Sequence, residues 1–131
     1  MTTLKVGIAS YAEMKARTLR IARGEQRVAR DEPMVWFTST ESFARLLSAN
    51  NRELLRVIDE QAPGSLEELA QMTGRAKSNL SRPLKAMEGY GIVRLERGER
   101  GRIKARVIAD RVELDVPLTR SSKARRTRRL S

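Results

Sequence analysis

A change in the spacing of apolar residues at Gly91 constrains the fold more than any other feature of the sequence. In the segment 78–90, leucine and methionine recur every three or four residues, which is how a helix buries one side. The segments 92–96 and 102–109 instead alternate apolar and polar residues, as half-buried strands do. We therefore expect a helical region followed by a hairpin, in a fold that is mainly α with a small antiparallel β wing.

Helix starts are marked at four places by a Ser, Thr or Asn followed three residues later by Glu. In such a pair the first side chain accepts a hydrogen bond from a free amide of the first turn, and the glutamate reaches back. The four pairs are Ser10–Glu13, Thr38–Glu41, Asn50–Glu53 and Ser65–Glu68. We expect a first helix over about 11–23 and a short one within 65–74. Between them we expect a second helix that carries Phe43, Leu46 and Leu47 and a third that carries Leu54, Leu55, Val57 and Ile58 and ends at 62–64, and the sequence leaves open whether these two are continuous. The apolar patch 35–37 is either a brief strand or an anchor to the core.

The segment 65–90 has the layout of a helix-turn-helix. The helix over 65–74 is short and is closed by Gly74, and a second helix over about 76–90 follows with almost no linker. The side chains expected to be buried are Leu66, Leu69, Ala70 and Met72 in the first helix and Ala76, Leu80, Leu84 and Met87 in the second.

Pro83 lies inside the second of these helices, where a proline removes one hydrogen bond at a cost of about 3 kcal/mol. One solution is a helix that begins late, with Ser81 as its cap and Pro83 in its first turn. The other is a helix that begins near Ala76 and is distorted between Asn79 and Pro83. The continuous apolar stripe from Ala76 to Met87 favours the second solution.

The side of this helix opposite the apolar stripe carries short polar groups and cations. Arginine can donate two hydrogen bonds to guanine, asparagine can pair with adenine, and serine can bind a base or a phosphate. A solvated helix face is the ordinary explanation of such a stripe, but the preceding turn and the following hairpin favour contact with DNA. The loop 97–101 adds cations interspersed with acids, so an exposed turn of mixed charge is the alternative there. The candidate DNA-binding residues are Arg75, Lys77, Ser78, Asn79, Ser81, Arg82, Lys85, Arg97, Arg100, Arg102 and Lys104.

Composition limits both the class of binding partner and the kinds of chemistry to be expected of this chain. The 27 Lys and Arg against 16 Asp and Glu give a net charge of +11, which favours a polyanionic partner. Six of the basic residues fall within 120–131, which we expect to be a disordered tail. Because the chain has no His, no Cys and no Gly-rich phosphate loop, we expect no enzyme activity, no metal and no cofactor. The absence of cysteine fits a cytoplasmic protein. No apolar run approaches the roughly 18 residues of a membrane span, so we expect no membrane partner.

Residues 52–108 resemble the winged helix-turn-helix domain of MarR-type transcriptional regulators. The resemblance lies in KSNLSRPLKAMEGYGIVRLE (77–96), which is similar to the recognition helix and first wing strand of that family, including the Met-Glu-x-x-Gly-hydrophobic turn. It implies a repressor-like homodimer with the helix over about 76–90 in the major groove and the 97–101 hairpin as the wing. Unlike that family, this chain is not expected to form a long C-terminal helix, because a strand-like run and a basic tail follow the hairpin. A dimer would therefore use residues 1–60 or the alternating run 112–118, which we expect to be a strand.

These observations predict an N-terminal helix and connector (1–38), a winged helix-turn-helix DNA-binding domain with an extra strand (39–119) and a basic tail (120–131). The leading hypothesis is a sequence-specific regulator of transcription, a repressor, that binds double-stranded DNA. A second is an antitoxin-like autorepressor that also binds a partner toxin protein. A third is a polyanion or RNA binder driven by the tail. The few aromatic residues form no stacking platform of the kind that single-strand binders use.

Overall fold

The structure is a computed structural model, and it describes residues 2–27 and 33–119. The elements, in chain order, are β1 (Thr2–Ile8), α1 (Tyr11–Ala22), β2 (Val35–Phe37), α2 (Thr40–Leu46), α3 (Ala49–Gln61), α4 (Leu66–Thr73), α5 (Lys77–Gly89), β3 (Val93–Arg97), a 3-10 turn (Glu99–Gly101), β4 (Ile103–Val107) and β5 (Ala109–Asp115). Strands β3 and β4 form an antiparallel hairpin, and the other three form a sheet of order β2–β1–β5. The described part is therefore a mixed α/β fold. The expectation of a mainly α fold missed β1 and its sheet, and the predicted tail over 120–131 lies outside the described residues.

The chain divides into two compact units. Among the described residues, the first unit contains 2–4 and 41–111, and the second contains 5–27, 33–40 and 112–119. Most of the first unit lies in 41–111, and the described residues from 112 onward belong to the second unit. The domain division predicted from the sequence stays a prediction.

The core of the first unit is built around one side of α5. Leu80, Leu84 and Met87 are fully buried, and α5 packs against α4 and β3. Burying such a side chain stabilises the fold by about 1.5–3 kcal/mol. The remaining buried residues of this core are Leu54, Val57, Ile58, Leu66, Leu69, Ile92, Val93 and Ala105.

Two residues expected in this core are exposed. Met72 is 45% exposed because it lies about 100° around α4 from the side formed by Leu66, Leu69 and Ala70. Ala76 is exposed because it is the N-cap of α5 and precedes its first turn.

The helix starts confirm two of the four predicted caps. Ser10 and Glu13 form a complete capping box at α1. Ser65 caps α4, although the Glu68 carboxylate accepts from the amide of Gly64 rather than from that of Ser65. The Thr38 and Asn50 caps are wrong. Helix α2 begins at Thr40, and α3 is capped by Ser48, whose side chain accepts from Asn51 N. That cap at Ser48 also answers the open question, because it separates α2 from α3.

Helix α5 runs without interruption through Pro83. A late start capped by Ser81 is therefore wrong. The Ser81 hydroxyl instead donates to the Lys77 carbonyl one turn earlier, at 3.4 Å. Pro83 is half-buried, and the Asn79 carbonyl lacks the amide that residue 83 would otherwise supply.

The β3–β4 hairpin closes over a short 3-10 turn. Gly98 N donates to Arg102 O at 2.7 Å, and Gly101 has φ 71°. Arg100 adopts φ 57°, a left-handed conformation that few side chains favour. After the hairpin, the predicted strand 102–109 is divided at Ile108 between β4 and β5. Strand β5 begins at 109 rather than 112 and ends before Pro117.

In the second unit, β1 and β2 pair in parallel with Gly7 opposite Trp36. The patch 35–37 is thus a strand, and it also anchors the unit, because Phe37 is only 3% exposed. The guanidinium of Arg17 lies over the Trp36 ring, 5.4 Å from its centroid. Gly7 leaves room for that ring, since a Cβ there would lie 2.6 Å from Trp36 Cζ3 and 2.8 Å from Pro33 Cγ.

Replacement of Gly7 by Ala is expected to lower the free energy of unfolding by about 1–3 kcal/mol, because Trp36 and Pro33 must move to admit the methyl group. Urea denaturation followed by circular dichroism measures this, and the emission of Trp36, the single tryptophan, reports on the local change.

Gly89→Ala is the matched control. Beyond its own helix and its chain neighbours, no atom lies within 4 Å of the position that a Cβ would occupy there. Replacement of this helical glycine by alanine should therefore raise the free energy of unfolding by about 0.5–1 kcal/mol. Equal effects of the two substitutions would contradict the packing of Trp36 on Gly7.

Candidate nucleic-acid interface

One side of α5 is exposed along its whole length and carries no acid. Ser78, Arg82 and Lys85 follow the spacing i, i+4 and i+7, so they lie in one row, and all three are exposed. The row is on the side of α5 opposite the buried Leu80 and Leu84, which precede and follow Arg82 by two residues. The packing that seats the helix therefore also directs this row toward solvent. We call Ser78, Arg82 and Lys85 the α5 row.

The acid closest to this row in sequence has another role. Glu88 accepts a hydrogen bond from Leu95 N at 3.0 Å, which joins the end of α5 to β3. Its carboxylate is thus bound to a backbone amide of the hairpin. Asn79 is exposed beside the row, in the first turn of α5.

Three predicted residues have partners inside the first unit. Arg75 is half-buried in the turn before α5, and its Nη2 donates to Asn50 O at 3.0 Å. Ser81 donates to its own helix, as described above. Lys77 Nζ lies 2.5 Å from Glu67 Oε1, which links α4 to the start of α5. These side chains hold the α4–α5 turn in place, whereas the α5 row is directed outward.

The Lys77–Glu67 pair lowers the pKa of Glu67 from its ordinary value of 4.5, chiefly through the hydrogen bond from Lys77. The carboxylate is therefore ionised at neutral pH, and Lys77 is partly neutralised by it. Because the pKa of Glu67 is lower in the folded protein, the ion pair stabilises the fold at pH values above the ordinary pKa of 4.5. This stabilisation is lost as the pH falls through the lowered pKa of the folded protein.

The predicted hairpin residues Arg97, Arg100, Arg102 and Lys104 are all exposed. Two further cations were missed, Arg94 and Arg106, which are directly opposite each other in β3 and β4 and both exposed. The sequence contained the signal, because strict alternation with the buried Val93 and Ala105 places both arginines on the solvent side.

Charge is unevenly distributed within the first unit. Residues 75–106 contain ten Lys and Arg against three Glu, a net +7, whereas residues 41–74 contain three Arg against six acids, a net −3. The cations are thus concentrated on α5 and the hairpin rather than spread over the unit.

No group of three or more His, Cys, Asp or Glu within the described residues is placed to hold a metal ion. No helix in that part of the chain has the length and apolar character needed to cross a membrane.

The HVO_A0114 family matches residues 46–114, which is more than half of the chain. The chain therefore belongs to the HVO_A0114 family. The matched segment contains α3, α4, α5 and the hairpin, and most of the second unit lies outside it. No curated protein and no solved structure matches the chain.

Glu67→Gln is expected to strengthen binding to duplex DNA, because Lys77 loses its counter-ion and becomes available to phosphate. One added phosphate contact steepens the dependence of log K on log salt by about 0.9. A fluorescence anisotropy titration across a salt series measures the slope.

Glu60→Gln is the matched control, since Arg56 keeps its ion pair with Glu53 when Glu60 is neutralised. An equal gain in the two variants would mean that only net charge matters.

Proposed function

We propose that this protein is a sequence-specific regulator of transcription that binds double-stranded DNA through a winged helix-turn-helix, and that it acts as a repressor. Helix α4 and the turn at Gly74 support α5, which enters the major groove, and the β3–β4 hairpin is the wing. The α5 row carries this proposal, because it aligns hydrogen-bond donors on a face that the core turns outward. No catalytic step and no cofactor are part of it.

The chemistry of α5 suits base readout. Arg82 has the planar fork that pairs with the O6 and N7 atoms of guanine, and Asn79 can bind the N6 and N7 atoms of adenine. Recognition helices contact bases mainly through their N-terminal part, where Ser78 and Asn79 lie. Lys85, about two turns further on, is suited to a phosphate. The hairpin cations supply further phosphate contacts, which position the protein without reading sequence.

The resemblance to MarR-type regulators leads us to propose a homodimer, because two symmetric half-sites require two copies of the reading helix.

Arg82→Ala is expected to cost about 1–3 kcal/mol of preference for the cognate site, with non-specific binding largely retained. The measurement is a titration of DNA from upstream of the gene against a shuffled duplex of equal length, each across a salt series.

Arg45→Ala removes the same charge from the last turn of α2 and should leave the preference unchanged. If Arg82→Ala and Arg45→Ala behave alike, α5 is not the reading helix. If the native protein shows no preference for the upstream DNA, the proposal fails.

A second candidate, an antitoxin-like autorepressor that also binds a partner toxin, is favoured by the surface of the second unit. Of the six large hydrophobic residues exposed in the described part of the chain, five belong to that unit: Tyr11, Leu19, Met34, Leu114 and Leu118. Tyr11 is 80% and Met34 79% exposed, and large apolar side chains left this open to solvent suit contact with a protein partner. Helix α1, which carries Tyr11, has no buried residue.

The double variant Tyr11→Ser with Met34→Ser is expected to lose binding to the protein encoded by the neighbouring reading frame and to keep its affinity for upstream DNA. Size-exclusion chromatography with light scattering, on the two proteins produced together, measures the complex and also the stoichiometry of the chain alone.

Met72→Ser, on α4 of the first unit, is the control and should leave that complex intact. The second role of the exposed residues would be ruled out if the neighbouring protein bound the double variant and the native chain equally well. It would also be ruled out if that protein bound neither chain.

A further inference from the structure

Strand β5 forms one edge of its sheet. In the order β2–β1–β5 it pairs with β1, and among the described residues no strand pairs with its other edge. An edge strand presents a row of backbone donors and acceptors, which proteins usually protect with a short strand, a lysine or a proline. Strand β5 has seven residues, ADRVELD, and contains neither lysine nor proline. Only its charged side chains therefore restrict which strand can pair there.

The opposite edge of the sheet is protected by its length. Strand β2 has three residues, Val35–Phe37, and Pro33 precedes it by two positions. A strand this short offers few backbone groups to another chain. Because the sheet has one long edge, pairing at β5 joins two chains and then stops. This favours a closed pair over an extended assembly.

The charges of β5 are self-complementary. Arg111 and Glu113 lie two residues apart, so they are on the same side of the strand, and both are exposed. Among the described residues, neither has an ion-pair partner. If two copies of β5 pair antiparallel about a two-fold axis at Val112, Arg111 lies opposite Glu113 of the partner subunit. The symmetry repeats this contact, and opposite charges placed in this way stabilise strand pairing.

Other positions of the two-fold axis bring like charges together. An axis at Arg111 or at Glu113 places that residue opposite its own copy. An axis at Asp110 or at Leu114 places two carboxylates opposite each other. Like charges directly opposite each other destabilise a pair of strands. The axis at Val112 is therefore the register that the charges of β5 select.

The same register brings apolar side chains to the centre of the pair. Val112 is half-buried and lies opposite Val112 of the partner subunit. Leu114 is 42% exposed and is on the same side of β5 as Val112. It is diagonal to Val112 of the partner subunit, a separation of about 7–8 Å that a long side chain can span. Pairing thus covers a leucine that the single chain leaves exposed.

We propose that two copies of this protein associate through antiparallel pairing of their β5 edges, with the two-fold axis at Val112. This inference rests on the proposed function, since it gives the proposed homodimer its surface. The same axis relates the two copies of α5. The DNA site is then an inverted repeat of one half-site.

The test reverses the two charges one at a time in the full chain. Arg111→Glu and Glu113→Arg each convert both ion pairs between subunits into like-charge contacts. Each variant should therefore dimerise roughly tenfold or more weakly than the native chain. An equimolar mixture of the two variants restores opposite charges at both positions, so it should form a mixed dimer of near-native affinity. Analytical ultracentrifugation over a concentration series measures the dissociation constants.

Arg45→Glu is the matched control, because it makes the same change of charge at an exposed position on α2. It should leave the dissociation constant of the native dimer unchanged. Circular dichroism of each variant shows whether loss of the dimer occurs in a folded chain.

A native chain that is monomeric throughout the series would overturn the inference. A dimer that both charge reversals leave intact would overturn it too, as would a mixture of the two variants that stays monomeric. The titration with upstream DNA separates this result from the proposed function. If a monomeric native chain prefers that DNA and Arg82→Ala abolishes the preference, α5 remains the reading helix and only the β5 pairing fails. If the β5 dimer forms without any such preference, the pairing stands and the regulator fails.

Discussion

Burial of Leu80, Leu84 and Met87 is the interaction on which the rest of the first unit depends. These side chains fill the space between α5, α4 and the hairpin, and removing any of them would cost about 2–5 kcal/mol in lost transfer energy and cavity formation. Because they occupy one side of α5, they also fix its rotation about its axis. That rotation alone decides that Ser78, Arg82 and Lys85 face solvent. One side of α5 thus stabilises the unit, and the opposite side forms the candidate interface.

Local hydrogen bonds then define the turn that presents this helix. Ser65 begins α4, Gly74 ends it with φ 69°, and the Lys77–Glu67 ion pair joins it to α5. Arg75 connects the same turn to α3 through its bond to the Asn50 carbonyl. Arg75 and Lys77, which the sequence offered as candidate DNA-binding residues, therefore hold this turn in place in the free protein. Residue type alone does not distinguish such structural cations from exposed ones.

The two units differ in the character of their surfaces. The first concentrates positive charge on α5 and the hairpin, and within the described residues its only large exposed hydrophobic side chain is Met72. The second has five such residues and a helix, α1, that has no fully buried residue. Membership of the HVO_A0114 family rests on residues 46–114, which cover most of the first unit but little of the second. This contrast is consistent with the two proposals made above, DNA as the partner of the first unit and a protein as the partner of the second.

The sequence by itself determined the elements whose signals are local. Periodicity located α5 and the hairpin, glycine at 74 ended α4, and serines at 10 and 65 marked helix starts, because each depends on neighbouring residues in the chain. Tertiary structure decided what depends on distant partners. Strand β1 exists through pairing with β2, a contact that no local pattern encodes. Arg94 and Arg106 lie opposite each other because of the register of the hairpin. Lys77 forms its ion pair with Glu67 because α4 packs on α5. Local chemistry could identify which residues are cationic, but only packing fixed which of them are paired inside the first unit and which are directed toward solvent.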